Sequence, residues 1–281
     1  GRFAGLFAQV TEDIDALDAM GDDIRDWQDA VAGRYAAPTK IERPWLRVEN
    51  QGQQGACQGF ALSTVAEVCH YTATEGKIEQ FSPQWAYIES QRYDGLIGRD
   101  QGSTLNGGLK VAVNLGFCRE ALWPYPGTYQ TKPPKGREAC LADANGFKIK
   151  KGIRLRNAQQ VKDWIAGGVG GCWCGRRIDW GGGHATAFVE LDERGNFPEL
   201  NSWGNRWGVR GRMTRTFQQV QSWFSDPYTV FMGITDMKGI KGEINLRLND
   251  TTYSFGPGLP AKDLFASGAS MPISLTGDTT Y

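Results

Sequence analysis

The sequence predicts an α+β fold with two lobes and a cleft between them. Two observations carry this reading: apolar residues recur at helical spacing through the first part of the chain, and from Phe147 onward short apolar runs alternate with glycine-rich breaks. Helices gathered in one half and strands in the other build a helical layer against an antiparallel sheet. The chain has 281 residues, with 40% hydrophobic and 11% aromatic content, enough to bury a sizeable core.

Taken in order, Phe3, Phe7, Val10, Ile14, Leu17, Ile24, Trp27 and Val31 form the stripe of an amphipathic helix over residues 3–31, with an acidic opposite face. Pro38 and Pro44 end it, and the polar run from Asn50 leads into a second helix beginning near Cys57. Ser82 followed by Pro83 supplies a cap and a first-position proline for a short helix. A further helix is expected over residues 105–115. Strands are expected at 172–178, 184–191, 211–216 and 228–234. This divides the chain into an acidic segment, 1–37, a main domain, 38–237, and a C-terminal extension, 238–281, with short alternating stretches such as 244–248. Basic residues concentrate between Lys132 and Arg156, which reads as a solvated face; the acidic helix is expected to dock on the main domain, its acidic flank facing Lys148 to Arg156, or to tether a protein partner.

Lys plus Arg and Asp plus Glu number 31 each, so no basic excess supports general nucleic-acid binding. No apolar run approaches the roughly 20 residues of a membrane span, and no secretory signal is visible. The compartment stays open, and no membrane contact is expected.

The chemistry narrows quickly because only two histidines exist, His70 and His184. His70 falls near the far end of the helix that Cys57 opens, so it is poorly placed to serve that thiol. His184 follows three glycines and opens an apolar strand, where a side chain can stand at a cleft edge. Cys57 sits where a glycine- and glutamine-rich loop enters a helix, and the unsatisfied N–H groups there favour a thiolate. An activated thiol needs a base, and the base needs an orienting group. Asn201 supplies that group, with Trp203 to cover the bond from water. Cys172 and Cys174, two apart on a strand, read as buried packing residues and not as zinc ligands. No metal or other cofactor is expected.

The segment Asn50-Gln51-Gly52-Gln53-Gln54-Gly55-Ala56-Cys57, the Gly183-His184-Ala185 strand start and Asn201-Ser202-Trp203-Gly204 resemble, in this order, the motifs of the papain-like cysteine peptidases. The resemblance spans about residues 43–236 and implies a papain-like two-lobed fold and peptide-bond hydrolysis. It implies Cys57 as nucleophile, His184 as acid and base, Asn201 as orienting group, and Gln51 with the Cys57 N–H as oxyanion hole. Asn106-Gly107-Gly108 resembles the glycine pair that binds extended substrate, with Leu109 beside it lining an apolar pocket, and Trp123-Pro124-Tyr125 resembles the segment that follows. Gln58 stands where the family usually has tryptophan, Gln54 where it often has cysteine, and its inhibitory prosegment motif is not recognisable in residues 1–37. Two other uses of the scaffold stand beside hydrolysis: a non-catalytic papain-fold subunit for assembly, for example in a phage particle, and acyl transfer to an amine. The expected partner is a protein or peptide substrate, with further protein partners for the N-terminal helix and the C-terminal extension.

Overall fold

The computed structural model describes residues 40–167, 170–178, 182–237, 244–248 and 251–255. The expected helix over 3–31, and with it the proposed docking against the basic stretch, lies outside the described residues.

The helical lobe is built from α1 (Cys57–Ala73), α2 (Pro83–Tyr93), α3 (Leu105–Lys110) and α4 (Arg137–Ala144). α3 runs into a π-helical turn, Val111–Leu115, which Gly116 closes at a φ of 88°. Only glycine fits there, because a Cβ would lie 2.0 Å from the Ala144 carbonyl oxygen. α1 is buried on every side from Gln58 to His70, so it is a central helix. Gly59 lets α2 cross it closely: a Cβ there would meet the Pro83 carbonyl oxygen at 2.4 Å. At the start of α2 the Ser82 hydroxyl accepts the Trp85 N–H at 3.0 Å, and Pro83 occupies the first turn, as the sequence predicts.

The second lobe is a six-stranded antiparallel sheet in the order β1-β6-β2-β3-β4-β5. Its strands are β1 (Ile149–Leu155), β2 (Cys172–Arg177), β3 (Gly183–Phe188), β4 (Phe197–Leu200), β5 (Arg212–Arg215) and β6 (Val230–Met237). Two helices interrupt it, α5 (Ala158–Ala166), capped by Asn157, and α6 (Phe217–Trp223), opened by a Thr216/Gln219 capping box. A separate hairpin pairs β7 (Ile244–Leu248) with β8 (Thr251–Phe255).

One core lies between the lobes, where Leu62, Val65, Ala66 and Cys69 of α1 pack on Trp173, Ala185, Ala187 and Met232 of the sheet. A second fills the β lobe around Trp164, Phe188, Phe197 and Phe231, and a third fills the helical lobe around Phe60, Trp85, Tyr87 and Trp123. Each of the larger aliphatic and phenyl side chains among these contributes roughly 1.5–3 kcal/mol on burial. The interlobe core holds α1 rigidly on the sheet that carries His184.

Several elements depart from the sequence expectation. The basic run from Lys148 is not only a solvated face: it is edge strand β1, with Ile149 and Leu155 buried and Lys150 exposed. Charge on an edge strand discourages pairing with another chain. The separation of helices from strands is also incomplete, since α5 and α6 pack on the β lobe.

Candidate active site

The loop that leads to Cys57 is tied to its surroundings before the helix begins. Gln51 N donates to the Ser202 carbonyl at 2.8 Å, joining the two lobes, and the Tyr125 hydroxyl donates to the Gln51 carbonyl at 2.7 Å. Gly52 takes a φ of 59°, which turns the chain toward Cys57 at the first position of α1. There the thiol, partly exposed, faces the first-turn N–H groups that lack acceptors within the helix.

His184 opens β3 in register with Arg176 of β2 and is only 7% exposed. Its Nε2 lies 2.9 Å from Asn201 Oδ1, which leaves Nδ1 for the hydrogen bond the ring makes with the Cys57 thiol. Asn201 follows the end of β4, and its Oδ1 also accepts the Ser202 N–H at 2.7 Å, which fixes the amide's orientation. The Trp203 ring stacks on the imidazole, with centroids 4.4 Å apart and planes 22° apart.

Burial penalises both ions, yet the pair overcomes it. Desolvation alone would raise the Cys57 pKa, but the hydrogen bond to His184, its charge and the backbone N–H groups of Ala185 and Gln58 bring it below the ordinary thiol value. Desolvation would lower the His184 pKa, but Cys57, the Asn201 bond and the negative charge of Glu199 bring it above the ordinary imidazole value. Both shifts move the pair toward the thiolate–imidazolium form. Glu199 has no counterpart among the residues the sequence singles out. It is fully buried on β4 and paired with Arg176 at 3.0 Å and Arg215 at 2.5 Å.

Gln51 is held with its amide in one sense. Its Oε1 accepts the Ser202 hydroxyl at 2.6 Å, and its Nε2 donates to the Gln54 carbonyl at 2.8 Å. These two bonds engage the amide oxygen and one of its two N–H groups. Ser202 was visible within the asparagine motif, but its bond to a residue 151 positions earlier could not be read from it.

The structure does not bring Gly107, Gly108 and Leu109 to this site as expected. Both glycines lie inside α3: Gly107 N donates to Thr104 Oγ1 at 2.9 Å, Gly108 N to the Thr104 carbonyl at 3.1 Å, and both carbonyls accept from the Val111 N–H. Their peptide groups are therefore unavailable to an added strand. The glycines serve packing, since a Cβ on Gly107 would lie 2.4 Å from Asp94 Oδ1 and one on Gly108 would lie 1.8 Å from Gln58 Nε2. Leu109 is buried in the interlobe core. The overlooked signal was Thr104, a helix cap three residues before Gly107.

His70 is far down α1, with Nδ1 3.1 Å from the Lys77 carbonyl and its ring against Phe81 and Phe147. Cys172 and Cys174 are packed in the β-lobe core, and burial raises the pKa of both thiols. Among the described residues, no group of three or more His, Cys, Asp or Glu side chains is arranged as metal ligands.

The architecture is the papain-like fold, a helical lobe and an antiparallel sheet with a Cys, a His and an Asn gathered between them. Xylellain, a cysteine protease from Xylella fastidiosa, superposes with a TM-score of 0.61 at 23% identity, covering 74% of this chain and 88% of that one. A cysteine protease of Carica candamarcensis in complex with E-64 gives a TM-score of 0.55 at 20% identity, covering 71% and 99%. By sequence the chain is similar to cysteine proteinase 1 of Zea mays, 27% identical over 191 residues, covering 58% of this chain and 51% of that protein. The chain spans about half the length of the curated relatives it matches. The family model described as inner membrane protein CreD matches residues 198–280, a stretch that begins within β4. Among the described residues, no helix is long and apolar enough to cross a membrane.

Proposed function

We propose that the protein is a papain-like cysteine peptidase acting on protein or peptide substrates. The observation that carries this reading is the placement of one imidazole between the Cys57 thiol and the Asn201 amide oxygen. Nucleophile, base and orienting group then form a connected set, which a scaffold retained only for assembly does not require.

In this reading the Cys57 thiolate attacks the substrate carbonyl carbon and forms the S–C bond. The carbonyl oxygen takes up negative charge and is met by the free Nε2–H of Gln51 and the Cys57 N–H, donors typically worth about 3–4 kcal/mol each. His184, with Nε2 held by Asn201, delivers the Nδ1 proton to the departing amine as the C–N bond breaks. The neutral imidazole then takes a proton from water as that water attacks the thioester; the C–S bond breaks, the acid departs, and the thiolate–imidazolium pair is restored. Residues 38–237 would carry this chemistry, with 1–37 and 238–281 flanking it as segments for protein partners.

The test is alkylation with iodoacetamide at about pH 6, where ordinary thiols are protonated, followed by mass mapping in wild type and His184→Ala. Cys57 should react far faster than the other five cysteines and slow markedly in the variant. Uniform slow labelling of all six in the wild type would overturn the peptidase reading.

A further inference from the structure

Asp100 stands beside the loop that delivers the nucleophile, and one of its carboxylate oxygens is held by two donors. Oδ1 accepts the Gly55 N–H at 2.9 Å and the Tyr87 hydroxyl at 2.7 Å. Tyr87 is fully buried, and its hydroxyl also accepts from Gln91 Nε2 at 2.9 Å and from the Gly102 N–H at 3.2 Å. Burial and the neighbouring carboxylate push the Tyr87 pKa up, so the phenol keeps its proton and continues to donate. The approach is tight: a Cβ on Gly55 would lie 3.2 Å from the same Oδ1 and 3.0 Å from Gly102 N. Asp100 is nevertheless exposed, and among the described residues its Oδ2 has no hydrogen-bond or ion-pair partner.

A carboxylate arranged this way has one oxygen committed to structure and one available. Gly55 precedes Cys57 by two residues, at most about 7 Å of chain. In an acyl-enzyme the carbonyl carbon is bonded to Sγ, so the residue on the acyl side of the cleaved bond is the part of the substrate tethered nearest this loop. A Lys or Arg side chain at that residue has the length and the donors to reach an adjacent carboxylate.

Resting on the peptidase reading above, we propose that Asp100 selects substrates with arginine or lysine on the acyl side of the scissile bond, offering Oδ2 to the basic group while Gly55 and Tyr87 hold the carboxylate in place. Neither glycine of α3 nor Leu109 can supply this selectivity, because all three are turned into the fold.

The experiment uses two affinity labels, peptidyl acyloxymethyl ketones that differ only in carrying arginine or alanine next to the reactive carbonyl. The rate of Cys57 modification is read by mass spectrometry in wild type and Asp100→Asn at low and high salt. The amide oxygen of the variant can still accept from Gly55 and Tyr87, so the charge is removed with those bonds retained. The arginine reagent should react about tenfold faster than the alanine reagent in wild type, the ratio should fall toward about one in Asp100→Asn, and salt should narrow it in the wild type. Equal rates in the wild type, or a ratio unchanged by Asp100→Asn, would overturn this proposal alone. Failure of both reagents to modify Cys57 would overturn the peptidase reading and this proposal with it.

Discussion

The indole of Trp203 lies flat over the imidazole of His184, 4.4 Å between centroids, and covers the ring whose Nε2 is bonded to Asn201. Water is thereby kept from competing for a hydrogen bond that fixes which face of His184 meets Cys57. The same indole belongs to a segment joined to the nucleophile loop through the isolated bridge between Asn50 and Trp203. Cover of the base and closure of the two lobes thus share one short stretch of chain.

Trp203→Ala should lower kcat/KM about tenfold, roughly 1.4 kcal/mol of transition-state stabilisation, by admitting water to the His184–Asn201 bond. Trp203→Phe should recover most of the loss, since a smaller ring still shields it. Peptide hydrolysis assays with thermal denaturation of both variants check this; equal rates for Ala and Phe would remove the shielding role.

Glu199→Gln should act on stability and on catalysis together. Loss of the charge leaves Arg176 and Arg215 without their buried counter-ion, a change that typically costs about 3–5 kcal/mol. Despite its burial the carboxyl is held below the usual Glu range by those two arginines and Thr186, so its stabilising effect is present at neutral pH and is lost as pH falls through that lowered value. The Tm difference between wild type and variant should therefore narrow in acid. Glu199 also helps hold His184 protonated, so the alkaline limb of the pH–rate profile should move to lower pH in the variant.

Glu67 presents the opposite sign. It is buried in α1, where it accepts the Phe81 N–H at 3.1 Å, and burial raises its pKa to about 8. The folded chain holds this proton to a higher pH than the unfolded chain, so the contribution to stability is complete below the ordinary Glu range and is lost as pH rises through about 8. Glu67→Gln keeps an acceptor for Phe81 and cannot ionise. Its Tm relative to wild type should rise steadily from mildly acidic to mildly alkaline buffer, and a pH-independent difference would refute the assignment.

Gln84 supports the Gln51 amide at a distance. Gln51 donates to the Gln54 carbonyl, the Gln54 side chain donates to Gln84 Oε1 at 2.9 Å, and Gln84 donates to the Gln130 carbonyl at 2.7 Å. Gln84→Met should lower kcat severalfold with KM nearly unchanged, because the position of a transition-state donor is loosened while substrate contacts remain. A change confined to KM would count against it.

The three residues that the structure gathers were legible in the sequence because their motifs are local. A glutamine six residues before a cysteine at a helix start, a glycine-preceded histidine opening a strand and an Asn-Ser-Trp run are each short motifs, and the structure gathers Cys57, His184 and Asn201. What escaped reading depended on distant partners. β1 was obscured by alternating basic residues that make sense only on a sheet edge paired with β6. β4 was obscured by Pro198 and by Glu199, a carboxylate tolerated in a core only because arginines from β2 and β5 converge on it. The glycine pair misled because spacing alone does not reveal whether a Gly-Gly peptide is extended or helical; the Thr104 cap makes it helical.

By itself, then, the sequence pointed to the fold and to Cys57, His184 and Asn201 as three residues to be found together, since residue types and short spacings are local properties of the chain. Tertiary structure alone decided the protonation poise of that pair, the hold on Gln51 and the exposure of Asp100 beside the nucleophile loop. The physical reason is that pKa shifts, hydrogen-bond orientation and accessibility depend on which groups are brought within a few ångströms of one another, and here those groups come from both lobes and from positions as far apart as Gln51 and Ser202.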